Sequence, residues 1–258
     1  MSRKILIAGN WKMNKTAAEG VAFVKELKAA LPCGGKKTDC ASGPEILVCP
    51  TFTTIAAVAK EAEGTCLKVG AQNIHFKENG AYTGEVNAAM LKETGATYVI
   101  VGHSERRQYF GETDDTVNKR AKAAVAAGLN VIVCVGETGQ ERDDNITEQV
   151  VERQTKTGLA GFNSADFDNI VIAYEPVWAI GTGKVASKED AQKAHAFIRS
   201  LLLSEFGADV AEKTRILYGG SMNAGNAAGL LEQNDIDGGL IGNASLQSES
   251  FAAIIGLA

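Results

Sequence analysis

Three residues of this 258-residue chain could together form a site for acid–base chemistry. Lys12, His103 and Glu175 each follow a short run of apolar residues that reads as a buried strand. A carboxylate can act as a general base, a neutral imidazole can donate to a developing oxyanion, and an ammonium group can balance its charge. Taken singly, each residue is more often structural or exposed, so their joint occurrence after different strands supports the prediction.

The loop after Glu175 has stiff ends and a flexible centre. Pro176 restricts the backbone at its start, whereas the Gly-Thr-Gly sequence at 181–183 frees its tip. Such a loop suits a lid that moves as a unit and presents backbone N–H groups to an anion. Because desolvation under a lid raises the pKa of a carboxyl group, we expect Glu175 to be a stronger base than a free glutamate.

Two late glycine-rich turns predict a phosphate site. They are Gly219–Gly220–Ser221 and Gly242–Asn243–Ala244–Ser245, and each directly follows an apolar strand. Backbone N–H groups at the start of a helix can hold a phosphate through hydrogen bonds and the helix dipole. In barrels of alternating strands and helices, this site often forms after the last two strands.

Eight strand–helix units must position these groups. The predicted strands are 5–9, 45–49, 67–71, 98–101, 130–135, 170–174, 215–218 and 238–241, and the predicted helices are 17–30, 51–62, 87–93, 114–127, 145–157, 188–206, 224–233 and 248–255. Alternating units imply parallel pairing through right-handed crossovers. Eight of them in this length, with no break in composition, predict an α/β fold: a closed (β/α)8 barrel forming a single domain over residues 1–258.

Composition excludes several classes of protein. The net charge of −5 is spread along the chain and argues against a nucleic-acid surface, and no apolar run is long enough to span a bilayer. We expect no signal segment at the amino terminus and no targeting tripeptide at the other end. The five cysteines (Cys33, Cys40, Cys49, Cys66 and Cys134) have neither zinc-site nor disulfide spacing, so we expect reduced thiols, a cytoplasmic location and no metal.

Several motifs, in order from Gly9 to Leu246, resemble those of the triosephosphate isomerase family. They are GNWKMN, GAYTGEV, VIVGHSERR, CVGET, YEPVWAIGTGKVAS, YGGS and GNASL. The resemblance implies the TIM barrel and the interconversion of dihydroxyacetone phosphate and glyceraldehyde 3-phosphate, a step of glycolysis and gluconeogenesis. It implies an enediolate intermediate, and no metal or organic cofactor.

The resemblance also implies a role for each site residue. Glu175 would be the catalytic base, His103 the electrophile and Lys12 the cation beside the substrate. The substrate-binding residues would be Asn10, Lys12, Gly181, Ser221, Gly242 and Asn243, and the supporting residues Ser104, Glu105, Tyr218, Thr83 and Leu240. The long loop at 72–85 resembles the family's intersubunit loop, which implies a homodimer in which Thr83 reaches the partner's site.

One position departs from the family pattern. Asn243 replaces a glycine. If the position needs a positive φ, Asn is the least costly substitute, and its side chain could crowd the phosphate.

Two other functions remain compatible with part of the sequence. A related barrel enzyme such as an aldolase would form a Schiff base on Lys12. A non-catalytic binding protein would keep the barrel with a weakened phosphate site. The lid motif and the intact set of three catalytic residues favour the isomerase.

Overall fold

The computed structural model describes residues 3–31, 43–180 and 186–258. Its eight strands pair in parallel in sequence order, and β1 also pairs with β8, so the sheet closes into a barrel. The strands are β1 Leu6–Asn10, β2 Glu45–Cys49, β3 Leu67–Ala71, β4 Tyr98–Val101, β5 Asn130–Val135, β6 Ile170–Tyr174, β7 Arg215–Tyr218 and β8 Gly238–Ile241. The predicted TIM barrel is confirmed.

Helices cover the outside of the barrel. In the described ranges they are α1 Ala17–Ala30, α2 Phe52–Ala62, α3 Ala88–Glu93, α4 Ser104–Phe110, α5 Asp114–Ala126, α6 Gly139–Asp143, α7 Thr147–Gly158, α8 Lys188–Phe206, α9 Ala208–Lys213, α10 Ala227–Leu231 and α11 Ser248–Ile255. The long helices agree with the sequence prediction to within a few residues. The short helices α4, α6 and α9 were not predicted as separate elements, because five to seven residues are too few to show a helical period.

The strands are buried on both faces, which explains their nearly continuous apolar sequences. In β1, Leu6 and Ala8 belong to the cluster inside the barrel, whereas Ile7 belongs to the layer between the strands and the helices. Alternate side chains of a strand point to opposite faces, so each strand contributes to both layers. The barrel interior is therefore a packed core, and the ends of the strands are left for polar chemistry.

A polar cluster closes the amino-terminal end of the barrel. Arg215 Nη1 donates to Glu45 Oε2 at 2.7 Å, and the Tyr98 hydroxyl donates to Glu45 Oε1 at 2.7 Å. Arg215 Nη2 also donates to the Tyr98 hydroxyl at 3.0 Å, so each member of the cluster has two partners. Burial raises the pKa of Tyr98 to about 12, so its hydroxyl stays protonated as a donor. Because these groups satisfy one another, this end of the barrel has a structural role.

His195 on α8 is a fully buried histidine next to two strand-end tyrosines. Its Nδ1 lies 3.1 Å from the carbonyl oxygen of Asp235, and its ring packs edge-on against Tyr174 with centroids 5.8 Å apart. Burial lowers its pKa to about 4, whereas an unfolded histidine titrates near pH 6.5. The fold therefore holds the imidazole neutral.

This burial predicts a loss of stability in mild acid. The contribution of His195 is fully present above pH 6.5 and declines as the pH falls toward its folded pKa, because the unfolded chain then binds the proton first. Between pH 7.5 and 5 we expect the free energy of unfolding to fall by about 2 kcal/mol from this residue. Urea denaturation of His195→Gln at the same two pH values, at fixed protein concentration, should show a correspondingly smaller fall; equal falls in the two proteins would contradict the prediction.

Candidate active site

A cavity of about 510 Å³ opens at the carboxyl ends of the strands. It is called the Lys12 cavity below. It collects predicted site residues that are far apart in sequence: Asn10, Lys12, His103, Ser221, Leu240, Gly242 and Asn243. They come from the ends of β1, β4, β7 and β8 or from the turns after them. The fold thus brings the predicted cation, imidazole and anion-binding turns to one place.

Lys12 is held in an unusual backbone conformation at the edge of this cavity. Its φ is 52°, in the left-handed region, which costs a non-glycine residue on the order of 1 kcal/mol. The Asn10 side chain accepts from the Lys12 N–H at 3.0 Å, and the Gln72 amide donates to the Lys12 carbonyl at 2.8 Å. The Lys12 ammonium donates to Glu105 at 2.6 Å. Backbone and side chain are both fixed, and Gln72 is a supporting residue that the sequence analysis missed.

His103 caps helix α4 and is almost completely buried. Its Nδ1 accepts from the backbone N–H of Glu105 at 3.2 Å, which leaves the ring proton of the neutral form on Nε2. Nε2 lies 3.0 Å from Glu175 Oε1 and can donate to it. Burial lowers the pKa of His103, but the neighbouring Glu175 carboxylate raises it by more, so the net pKa is above its usual value in this arrangement.

Glu175 is 2% exposed and is held by Ser104 as well as by His103. Its Oε2 accepts from the Ser104 N–H at 3.0 Å, and its Oε1 accepts from the Ser104 hydroxyl at 3.1 Å. In this position the residue lines a neighbouring cavity of about 800 Å³, which it shares with Ser104. The carboxylate therefore rests beside the Lys12 cavity and must turn away from Ser104 to act there.

The expected rise in the pKa of Glu175 is wrong for this resting position. Burial does raise the pKa, but the His103 ring and the two Ser104 donors lower it by more, and the net pKa lies below that of a free glutamate. Hydrogen bonds to the ionised form stabilise it, which makes it a weak base. If the Glu175 carboxylate turned toward the Lys12 cavity, it would leave these donors and lose the interactions that lower its pKa. It would then be a stronger base.

Two glycines let the backbone approach Glu175 closely. A Cβ on Gly219 would lie 2.8 Å from Glu175 Cγ and 2.9 Å from the Tyr174 carbonyl oxygen. A Cβ on Gly136 would overlap the Glu175 main chain. Any side chain at either position would displace the segment that carries the carboxylate. Glycine at 219 is therefore required for packing against Glu175, in addition to any role in binding an anion.

The last turn differs from its sequence-based expectation. Asn243 starts a short 3₁₀ turn, Asn243–Leu246, and positive φ among the described non-glycine residues occurs only at Lys12, Lys15 and Asn145. Asn243 therefore carries no left-handed strain. Asn243 is an exposed residue that lines the Lys12 cavity, where it can meet a ligand.

The remaining predicted residues lie around the site or outside the described ranges. Burial raises the pKa of Tyr218 to about 12, and the nearby backbone of Ala186 partly opposes this rise. The Tyr218 hydroxyl therefore lies near the end of the loop that follows Glu175. Thr83 is exposed on the loop at 72–85. Gly181, Cys33 and Cys40 lie outside the described residues. Asn14, Ile180 and Met222 line the cavity without any signal in the sequence that marks them.

Metal and membrane features were sought in the described part of the chain. Within residues 3–31, 43–180 and 186–258, no group of three or more His, Cys, Asp or Glu side chains is placed to hold a metal ion. In the same ranges, none of the helices combines the length and apolar character needed to cross a bilayer.

Comparison with known proteins agrees with this geometry. The family model described as triosephosphate isomerase matches residues 5–258. A triosephosphate isomerase of Endomicrobium trichonymphae is 53% identical over 253 residues, covering 98% of each chain. That of Carboxydothermus hydrogenoformans is 52% identical over 98% of this chain and 98% of its own. That of Clostridium botulinum (strain Langeland) is 51% identical over 98% of this chain and 99% of its own. This chain belongs to the triosephosphate isomerase family and is an isomerase that interconverts triose phosphates.

Proposed function

We propose that Glu175 carries the proton in this isomerisation. It removes a proton from the carbon next to the substrate carbonyl, and the electron pair left behind forms the C=C bond of an enediolate, with negative charge on the carbonyl oxygen. A proton then passes from the hydroxyl oxygen of the adjacent carbon to the former carbonyl oxygen, and Glu175 returns its own proton to the adjacent carbon, which yields the isomeric triose phosphate. The observation that supports this assignment is the buried Glu175–His103 contact of 3.0 Å at the edge of the Lys12 cavity.

His103 and Lys12 stabilise the charge that develops on the oxygen. Because Nδ1 of His103 accepts a backbone hydrogen bond, Nε2 keeps its proton and can donate to the enediolate oxygen once Glu175 has turned away. The Lys12 ammonium, at the same cavity, offsets the negative charge. Ser221, Gly242 and Asn243 line the same cavity, where backbone N–H groups suit the phosphate. The role assigned to Gly181 stays a prediction.

The experiment that tests this assignment is isomerisation in deuterated water. A proton held on Glu175 exchanges with solvent before it returns, so the parent enzyme should place deuterium on the carbon that receives it. Transfer of hydride directly between the two carbons would leave the product without deuterium and would contradict the assignment.

The aldolase alternative has a specific difficulty at Lys12. Schiff-base formation needs an amine that is free to attack the substrate carbonyl, whereas the Lys12 side-chain nitrogen is engaged with Glu105 at 2.6 Å. Borohydride treatment with substrate should therefore leave no adduct on Lys12. A stable adduct at that residue would favour the aldolase.

We infer that the active form is a homodimer in the cytoplasm. Met13 and Phe110 are 93% and 66% exposed, and both line a cavity of about 250 Å³ that also contains Lys12 and Gln72. Two large exposed apolar side chains beside a catalytic lysine suit cover by a second chain. The partner subunit's Thr83 is the proposed residue at this cavity. The free thiols of Cys49, Cys66 and Cys134 suit a reducing compartment.

Met13→Asp should separate the subunits. A carboxylate buried in an apolar interface would lack a partner, so we expect monomers at micromolar concentration and a kcat at least about tenfold lower. Sedimentation velocity and steady-state kinetics on the same samples measure both. Lys4→Asp changes another exposed residue by a larger charge and serves as the control. A fully active monomer would refute the dimer proposal.

Asn243 should influence substrate affinity rather than the rate of proton transfer. Because its backbone is unstrained and the residue lines the Lys12 cavity, Asn243→Gly should change KM by a few fold and leave kcat nearly unchanged. Asn243→Asp keeps the shape but places a carboxylate beside the phosphate, so KM should rise by about tenfold or more. Equal KM values for the Asp variant and the parent would show that residue 243 lies away from the phosphate.

A further inference from the structure

Arg142 on α6 connects the segment after Glu175 to helix α8. Its guanidinium carbon lies 4.1 Å from the centroid of the Trp178 ring. Its Nη1 is 3.8 Å from Glu137 Oε1, and its Nη2 is 3.6 Å from Asp190 Oδ2. These are ion-pair distances without a direct hydrogen bond, so stacking and charge hold the group in place. No step of the proposed proton transfer uses it.

The same indole is held at its edge by Glu137, which is fully buried. Glu137 Oε1 accepts from Trp178 Nε1 at 2.8 Å, and the Tyr174 hydroxyl lies 3.1 and 3.0 Å from the two carboxylate oxygens. The main-chain oxygen of Glu137 also accepts from the Val177 N–H at 3.1 Å. Tyr174 and Trp178 stand on either side of Glu175 in sequence, so one buried carboxylate binds both ends of the segment that carries the base.

The link from the indole to Glu175 is short and stiff. Only Pro176 and Val177 lie between them, and Val177 begins the one-turn 3₁₀ helix Val177–Ala179 that contains Trp178. The proline fixes its own φ, so few backbone torsions are available to absorb a rotation of the indole. On the other side, the Glu175 N–H donates to the Val135 carbonyl at 2.8 Å. A change in the orientation of Trp178 is therefore transmitted to the main chain of Glu175.

We propose that Arg142 is a positioning residue for Glu175 that acts through Trp178. Glu137 fixes the edge of the indole, and the guanidinium of Arg142 covers its face, so the two together hold one orientation. This orientation fixes the main chain from which the Glu175 side chain turns from its resting place on Ser104 toward the Lys12 cavity. The proposal rests on the proposed role of Glu175 as the base, and it adds a residue outside the cavity to the machinery of the reaction.

Arg142→Met tests this inference, because it keeps the length of the side chain and removes its charge and planar stacking. We expect kcat to fall by about tenfold, since a small misplacement of a catalytic group is costly, while KM changes by less than about twofold because the phosphate turns are untouched. Arg142→Lys keeps the charge near Glu137 and Asp190 and should recover part of the loss. Lys193 lines the same surface cavity as Arg142, so Lys193→Met removes a neighbouring cation and should leave kcat and KM unchanged.

Nuclear magnetic resonance gives a readout that is independent of activity. The chain has two tryptophans, so a ¹⁵N-labelled sample shows two indole N–H signals, and Trp178→Phe assigns them. Arg142→Met should shift or broaden the Trp178 signal and leave that of Trp11, which is fully buried, unchanged. Any one of three results for Arg142→Met would overturn the proposal: an unchanged Trp178 signal, a kcat within about twofold of the parent, or a rise in KM that matches the fall in kcat. An inactive parent enzyme would instead refute the proposed function.

Discussion

Replacing Glu175 with Gln is expected to lower kcat by about 10³-fold, the range typical of a lost general base. The amide oxygen can still accept from the Ser104 N–H, and the amide NH2 group can donate to the Ser104 hydroxyl, so the resting structure should survive, but the amide cannot take up a proton. KM should change little, because the residue lies outside the wall formed by the phosphate turns. Steady-state kinetics with glyceraldehyde 3-phosphate measure both constants.

Glu175→Asp separates the chemistry of the carboxylate from its position. The group remains a base but is shorter by one methylene, and a displacement of about 1 Å can cost about 10²-fold in rate. Glu148→Gln, at a surface carboxylate with 58% side-chain exposure, is the matched control and should behave as the parent. A Gln variant that retains kcat within about tenfold would show that another group removes the proton.

The apolar runs of β4 and β5 could be recognised from the pattern alone, because the strands are buried on both faces, whereas several of the other strands were predicted with the help of the family resemblance. The boundaries of β5 and β6 agree with the prediction, since their sequences are apolar along their whole length. Thr51 and Asn87 were predicted as the first helical residues but precede α2 and α3 as N-cap residues, and boundary positions depend on such local details. The polar residues after the strands could be placed together because parallel strands share one carboxyl edge.

Long-range contacts around the carboxylate could not be predicted from the sequence. Ser104 was assigned a supporting role beside His103, but nothing local indicates that its N–H and hydroxyl meet Glu175, 71 residues away. Together with the His103 ring, which is the larger cause, that contact reverses the expected direction of the Glu175 pKa shift. The Arg142–Trp178 stacking was missed for the same reason: a stack of two distant side chains leaves no period or motif in the sequence.

Lys12→Met is expected to lower kcat/KM by about 10²- to 10³-fold, the cost of removing a group that stabilises developing charge in a desolvated site. The methionine has nearly the length of the lysine stem, and the positive φ is equally strained for both residues, so the backbone held by Asn10 and Gln72 should persist. The lost Lys12–Glu105 ion pair is partly exposed and should cost little stability. Kinetics and thermal unfolding of the same preparation separate the two effects.

Part of that loss should come from Glu105 rather than from the missing ammonium. Without its partner, the Glu105 carboxylate leaves an unpaired negative charge near a substrate that is itself anionic, and like charges repel across the cavity. The double variant, Lys12→Met with Glu105→Gln, removes this charge as well and should be more active than Lys12→Met alone. Glu105→Gln alone should be less active than the parent, because it frees the lysine from its position. A double-mutant cycle therefore distinguishes direct stabilisation of the enediolate from simple neutralisation of Glu105. If the double variant regained the full parent activity, Lys12 would act only by masking Glu105, and its catalytic role would have to be abandoned.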